Sequence, residues 1–111
     1  MEISFTNAKL EKLCNSAKKL RAKYGARMAD LIQRRLLELS AAESLEIMKA
    51  LPGARCHELK QNRAGQLAVD LVHPQRLVFE PDHDPVPAKD DGGLSWAEVT
   101  KILVVEISDY H

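Results

Sequence analysis

The chain has 111 residues, about the size of one domain, and its 45% hydrophobic content is enough for a single core. With 29% charged residues and no apolar run near the roughly 18 residues that cross a bilayer, the sequence excludes both a membrane-spanning protein and a largely disordered chain. We therefore expect one domain over residues 1–111 with no membrane partner. The opening Met1–Phe5 lacks the basic and apolar stretches of a secretory signal, so a cytoplasmic location is expected.

Charge is divided unevenly along the chain. Sixteen basic residues balance sixteen acidic ones, for a formal net charge of zero. Residues 1–63 nevertheless hold thirteen Lys or Arg against seven Asp or Glu, whereas residues 64–111 hold three against nine. Much of the acid is concentrated in one stretch, at Glu80, Asp82, Asp84, Asp90 and Asp91. A basic surface can persist only if this stretch folds away from it.

The first half of the chain is predicted to be mostly helical. Ile3 and Phe5 indicate a short strand, and Asn7 is a suitable N-cap for a helix that runs to Gly25. Its apolar positions recur at spacings of three and four: Leu10, Leu13, Cys14, Ala17, Leu20 and Tyr24. A second helix is predicted over 26–39, and Gly25 makes an antiparallel helical hairpin from the two. A shorter helical turn over 44–50 ends before Leu51-Pro52-Gly53.

The second half has the alternating pattern of strands. Strands are predicted over 56–61, 66–71, 76–80 and 99–108, the last of them apolar on both faces and therefore central in its sheet. Arg76 falls on the outward face and is expected to be exposed. Residues 81–97 form a long acidic loop with three prolines and two glycines, in which Ser95-x-x-Glu98 matches a helix-capping pattern that would place Trp96 on a short turn.

The residues able to carry chemistry are few. His57 precedes Lys60 by three residues, and taken alone it is typical of an ordinary strand residue. His83 between two aspartates is a weak metal candidate, because adjacent ligands on a loop seldom converge. The two cysteines form no C-x-x-C pair, and no phosphate-binding glycine loop, G-x-S-x-G elbow or H-E-x-x-H helix is present. No metal or cofactor is therefore expected.

Three short segments, taken in order, resemble one family. His57-x-Leu59-Lys60, then Arg76-Leu77-Val78-Phe79, then Asp109-Tyr110-His111, are similar to the HigB toxins of the RelE superfamily, the killer components of bacterial toxin-antitoxin modules. The resemblance covers nearly the whole chain, and its specific parts are the last triplet and the His-x-Leu-Lys stretch. It implies an α+β fold with the N-terminal helical hairpin packed on a small antiparallel sheet.

The resemblance also implies an activity and partners. Such proteins are endoribonucleases that cut mRNA in the ribosomal A site, and a HigA-like helix-turn-helix antitoxin neutralises them in a joint oligomer. Cleavage of RNA without a metal needs a base, an acid and cations near phosphorus. The resemblance makes His57 and His111 the proton-transfer candidates, Lys60 and Arg76 the phosphate stabilisers, Asp109 an orienter of an imidazole, and Tyr110 a base-stacking or positioning group.

Two features of the sequence bear on this interpretation. On a regular strand His57 and Lys60 point to opposite faces, so a bulge or bend is required to bring them together. The acidic loop and the zero net charge are unfavourable to RNA, unless the loop lies away from Lys60 and Arg76 or closes over them as a regulator. The alternative interpretation is a non-catalytic RelE-like module that binds a protein or RNA.

Overall fold

The computed structural model describes residues 1–109, which form an α+β fold. Helices α1 (Ala8–Cys14), α2 (Ala17–Tyr24) and α3 (Ala26–Ala41) follow the first strand and pack on the sheet. The strands are β1 (Glu2–Phe5), β2 (His57–Glu58), β3 (Leu67–Asp70), β4 (Arg76–Pro81) and β5 (Lys101–Ser108). Short 3₁₀ turns occupy Leu45–Ala50, Gln61–Arg63 and Trp96–Glu98. The α+β class and the position of the helices confirm the prediction.

The strand order is β1-β5-β4-β3-β2, and one pair departs from the expected antiparallel sheet. β1 runs parallel to β5, with Ile3 opposite Ile102, whereas the other neighbours are antiparallel. The parallel pair follows from topology, since the whole helical segment and three strands separate β1 from β5 and no tight turn fixes their direction. β5 is an interior strand, with neighbours on both sides, and β4 holds the middle position.

The first predicted helix is divided into two. Asn7 caps α1 as expected, its side chain accepting from the Leu10 amide at 2.8 Å. At Asn15 and Ser16 the backbone leaves the helix, and the Ser16 hydroxyl accepts from the Lys19 amide at 3.1 Å to begin α2. Asn and Ser compete with helical hydrogen bonding in this way, although the apolar spacing continues through them. Gly25, with φ of 85°, then joins α2 to α3.

The two faces of the sheet are covered unequally. Leu77, Phe79, Ile102 and Val104 lie in the main core against the helices. Val78 is also fully buried, on the opposite face, where Leu59, Ala68 and Val105 cover it. β5 is therefore less enclosed than predicted, because only a small apolar group lies beyond this outer face.

The acidic segment lies at one end of the sheet. Pro81 belongs to β4 and the Trp96–Glu98 turn forms as predicted, though without a side-chain cap from Ser95, so the intervening loop is shorter than the predicted 81–97. The loop is fixed by the Trp96 indole, which donates to Glu58 at 3.0 Å and lies 4.7 Å from the Lys49 ammonium. The His83 ring nitrogen Nε2 accepts hydrogen bonds from the backbone amides of Thr100 and Lys101 at 3.1 and 3.3 Å, and these bonds attach the loop to the start of β5.

Arg35 joins α3 to the end of the sheet away from this loop. Its side chain is buried, and the guanidinium donates to the backbone oxygen of Asp70 at 2.8 Å, to that of Gly53 at 2.7 Å and to the Glu38 carboxylate at 2.9 Å. A planar group with five donors suits this three-way contact, whereas lysine cannot reproduce it. The contact fixes the chain before β2 and the end of β3 relative to each other.

Replacing Arg35 by methionine is expected to lower the free energy of unfolding by about 3 kcal/mol, because the backbone oxygens of Gly53 and Asp70 lose a charged donor. The midpoint of urea unfolding checks this. Arg34→Met is the matched control, since Arg34 is exposed and approaches the same Glu38 at 3.5 Å; its effect should be below about 0.5 kcal/mol. Equal losses in the two variants would contradict the assignment.

Candidate functional site

The candidate site lies on the outer face of the sheet, the one turned away from the helices. Cross-strand pairing places Asp70 opposite Arg76, and Arg76 opposite Ser108, in one row. The next row runs from His57 through Ala68 and Val78 to Glu106. Since directly paired residues share a face and positions two apart on a strand do so too, both rows present their side chains together.

Asp70 organises the first row. Its carboxylate accepts from Arg55 at 2.7 and 3.2 Å and lies 3.7 Å from the Arg76 guanidinium. Arg55 has a backbone φ of 44°, in the left-handed region that residues with a Cβ seldom adopt, and its amide donates to Pro52. Two guanidinium groups thus approach one carboxylate.

Arg76 is only partly exposed, which corrects the prediction that it is exposed. Its side chain retains 25% of its accessible surface. The outward face of β4 is covered near this point by the small apolar group around Val78, and Asp70 holds the guanidinium against the sheet. The alternation that placed Arg76 opposite Leu77 is nevertheless confirmed.

His57 lies in the second row, with one nitrogen in a defined contact. Nδ1 is 2.7 Å from the backbone oxygen of Arg55. A carbonyl oxygen can only accept, so Nδ1 carries a hydrogen, and in the neutral ring the lone pair is on Nε2. That tautomer leaves Nε2 able to take a proton from a bound molecule.

A third arginine completes the second row. Arg63 pairs with Glu106 and also donates to Gln66 at 3.0 Å.

His57 and Arg76 are separated by two strand spacings and by two residues along the strand. These spacings correspond to about 12 Å between their Cα atoms. Long side chains on this face can therefore reach a common nucleotide.

Lys60 does not belong to either row, because it lies after the end of β2. The predicted strand 56–61 is reduced to His57–Glu58, and Lys60 is exposed at the start of the Gln61–Arg63 turn. Leu59 and His57 lie on the same face of the sheet. Ala68, which pairs with His57, packs with Val78 and Leu59 in one apolar cluster. The anticipated irregularity exists, but it lies between β4 and β5, where the register shifts at Val78 and Phe79, and it does not redirect Lys60.

Asp109 is exposed and directly follows β5, so it lies next to the Arg76–Ser108 pair in the chain. Tyr110 and His111 lie outside the described residues. The structure thus places His57 and Arg76 on one face of the sheet. Asp109 directly follows Ser108, the residue that pairs with Arg76.

Four residues of this face were missed from the sequence: Arg55, Arg63, Asp70 and Glu106. Asp70 and Arg76 flank the turn between β3 and β4, and opposite charges at such paired positions were a usable signal. Arg55 lies before β2 with a left-handed backbone conformation, so strand alternation could not place it on this face. The pairing of Arg63 with Glu106 joins residues 43 apart, and no local pattern indicates it.

The cysteines lie outside this face. Cys14 is buried in the helical region, and burial raises the pKa of its thiol to about 11. Burial also raises the pKa of the Cys56 thiol to about 12. Because the thiolate is the reactive form, neither residue is suited to nucleophilic chemistry near neutral pH.

Comparison with known proteins gives a fold but no close relative. No protein-family model matches the sequence, and no curated protein matches it. Among solved structures, a YoeB/ParE toxin from Agrobacterium tumefaciens matches over 100% of both chains at 14% identity and a TM-score of 0.53. A YoeB-YefM complex from Staphylococcus aureus matches over 100% of this chain and 97% of its own at 19% identity and a TM-score of 0.55.

The chain has the fold of a YoeB/ParE-type toxin. This likeness agrees with the α+β fold expected from the sequence. No helix among residues 1–109 is both long and apolar enough to cross a membrane.

Alkylation of the two thiols should be slow in the folded protein. At pH 8, a pKa raised from 9.0 to about 11 or higher lowers the thiolate fraction by at least about 100-fold. Iodoacetamide labelling followed by mass spectrometry, with and without urea, measures the difference. Ionisation favours the unfolded chain, so stability should fall as the pH rises above about 9. Equal labelling rates with and without urea would contradict this burial.

Proposed function

We propose that this protein is the toxin of a type II toxin-antitoxin module, a HigB-like, ribosome-dependent endoribonuclease that cleaves mRNA without a metal. The observation that carries the proposal is the grouping of Arg55, Arg63, Arg76 and His57 on the outer face of the sheet. Guanidinium groups recognise phosphate in a bidentate manner, and imidazole transfers protons near neutral pH. The toxin fold of the solved neighbours supports the same function.

The proposed roles follow from the positions of these groups. His57 Nε2 would accept the proton of the ribose 2′-hydroxyl, because Nδ1 is held by the Arg55 carbonyl. Arg76, already directed by Asp70, would stabilise the charge that grows on phosphorus, and exposed Lys60 would assist from the end of β2. The scissile bond is the one from phosphorus to the departing 5′-oxygen.

The last three residues of the chain complete the proposal. Ser108 lies opposite Arg76, and Asp109, Tyr110 and His111 follow it in the sequence. His111 would protonate the departing oxygen, Asp109 would orient an imidazole, and Tyr110 would stack on a base or position it.

A cognate antitoxin is the proposed partner. One solved neighbour is a complex between YoeB and YefM, so a chain of this fold has been seen with a second protein. We propose a HigA-like helix-turn-helix antitoxin, a joint oligomer with it and a cytoplasmic location. Residues 1–111 would act as a single domain, with the acidic loop away from the site.

A non-catalytic module that binds RNA or protein is the second candidate. It is favoured by the ion pairs of the arginines, since Arg55 and Arg76 share Asp70 and Arg63 contacts Glu106. Those pairs would stabilise the sheet whether or not catalysis occurs. Growth and cleavage experiments separate the two functions.

Induced expression of the wild-type protein should arrest growth, and 5′-end mapping of transcripts should show new ends within minutes. Arg76→Ala and His57→Ala should each lower cleavage by about 100-fold or more, because a phosphate stabiliser or a proton-transfer group is lost. His111→Ala should do the same.

Arg34→Ala is the matched control for Arg76→Ala, because Arg34 is exposed on α3, which packs on the other side of the sheet. It should arrest growth like the wild type. Folded wild-type protein that accumulates without arrest or new transcript ends would rule out the nuclease and favour the binding module.

Asp70→Asn should show whether Asp70 acts by positioning the two arginines or by affecting RNA affinity. The backbone contact with Arg35 remains, but Arg55 and Arg76 lose the charge that orients them. We expect the maximal cleavage rate on programmed ribosomes to fall by about tenfold, while RNA affinity stays equal or rises because a negative charge is removed. Asp30→Asn, on the exposed side of α3, should change neither quantity. A loss of affinity with an unchanged maximal rate would refute the positioning role of Asp70.

A further inference from the structure

The first two helices carry a charge that the net charge of the chain conceals. Residues 8–27 contain seven Lys or Arg and one Glu, although the whole chain is neutral. The side chains of Lys9, Lys12, Lys19 and Lys23 are exposed. This segment is the most basic part of the molecule, and the candidate site described above does not include it.

Four of these lysines line one groove. It has a volume of about 240 Å³, and Lys9, Lys12, Lys19 and Lys23 surround Leu13 in it. Lys9 and Lys12 are three apart on α1, and Lys19 and Lys23 are four apart on α2, so each pair shares a helix face. The two pairs lie on either side of the break at Asn15 and Ser16 and line the same groove.

The positive charge of this groove is not neutralised within residues 1–109. Three lysines elsewhere have carboxylate partners: Lys49 pairs with Glu46, Lys89 with Asp91, and Lys101 with Glu2. No ion pair of the described part of the chain includes the four groove lysines. Like charges at these helical spacings are destabilising, so an external anion would stabilise the arrangement.

The groove continues towards the candidate site. A neighbouring depression shares Lys9 and Lys23 and is lined on its other side by Val105, Glu106 and Ile107. β1 pairs with β5 only as far as Val104, so this part of β5 borders the depression instead of a strand. Glu106 in turn contacts Arg63 on the arginine-bearing face. A strand of nucleic acid could thus pass from that face, over the end of β5, to the lysines.

We propose that the lysine groove binds the sugar-phosphate backbone of the same RNA strand that the arginine face holds, at nucleotides beyond the cleaved one. The inference rests on the proposed function. Evenly spaced phosphates match a row of like charges, and lysine is a point charge that suits phosphate without base readout. An acidic protein partner is less well matched, because among residues 1–109 Leu13 is the only apolar side chain lining the lysine groove, and it offers little surface to anchor a protein.

The test compares RNA of two lengths. Binding of labelled 2′-O-methyl oligonucleotides, which cannot be cleaved through the 2′-oxygen, is measured by fluorescence anisotropy for lengths of about 4 and about 16 nucleotides. The variant is Lys9→Gln, Lys19→Gln and Lys23→Gln combined. Its matched control removes the same charge at Lys49, Lys89 and Lys101. Thermal unfolding of both variants verifies that the exposed substitutions leave the fold intact, and single Lys19→Gln serves if the triple variant does not fold.

The wild type should bind the longer RNA at least about tenfold more tightly than the shorter one, and the groove variant should lose this advantage. The dependence of its binding constant on salt should weaken by about 2 in logarithmic slope, from about 0.7 for each lost phosphate contact on single strands. The control variant should keep the length advantage.

Three results would overturn the proposal: an unchanged length advantage in the groove variant, an equal loss in the control variant, or loss of binding to a polyglutamate peptide with RNA binding unaltered. The oligonucleotides cannot be cut, so failure of the nuclease function is seen separately. A wild type without transcript cleavage but with groove-dependent binding would refute only that function.

Discussion

The buried guanidinium of Arg35 is the contact on which the candidate site depends. It connects α3 to the backbone oxygens of Gly53 and Asp70, which lie before β2 and at the end of β3. Asp70 then uses its side chain on the other surface of the sheet to direct Arg55 and Arg76. Arg35, on the core side of the sheet, therefore helps to determine where Arg55 and Arg76 lie on the outer side. It does so because its hydrogen bonds fix the end of β3, which carries Asp70.

Acidic and basic groups lie at opposite ends of β4, although the chain as a whole is neutral. The acidic loop leaves β4 at Pro81 and returns before Lys101, whereas Arg76 is at the opposite end of the same strand. Five residue steps along β4 correspond to about 17 Å, well beyond the screening length of about 8 Å at physiological salt. The acidic groups therefore scarcely weaken the attraction of an anion to Arg76. Trp96 and His83 hold the loop in this position.

Several local features were predictable because they arise from neighbouring residues. The Asn7 cap, the glycine between α2 and α3, and the outward position of Arg76 relative to Leu77 each depend on a few adjacent positions. The break at Ser16 was missed because a hydroxyl that competes with the helix leaves the apolar spacing unchanged. The short β2 was missed because its length depends on how far β3 pairs with it.

The sequence by itself determined the order of the elements and the presence of His57 and Arg76 on strands, since periodicity and turn residues are local properties, and its resemblance to a known family implied the α+β class. Only the tertiary structure decided that β1 lies parallel to β5, that Arg55 and Arg76 share Asp70, and that Arg63 meets Glu106. Those contacts join residues distant in the chain. They are determined by strand register and by the burial of Arg35, which depend on packing the whole core at once.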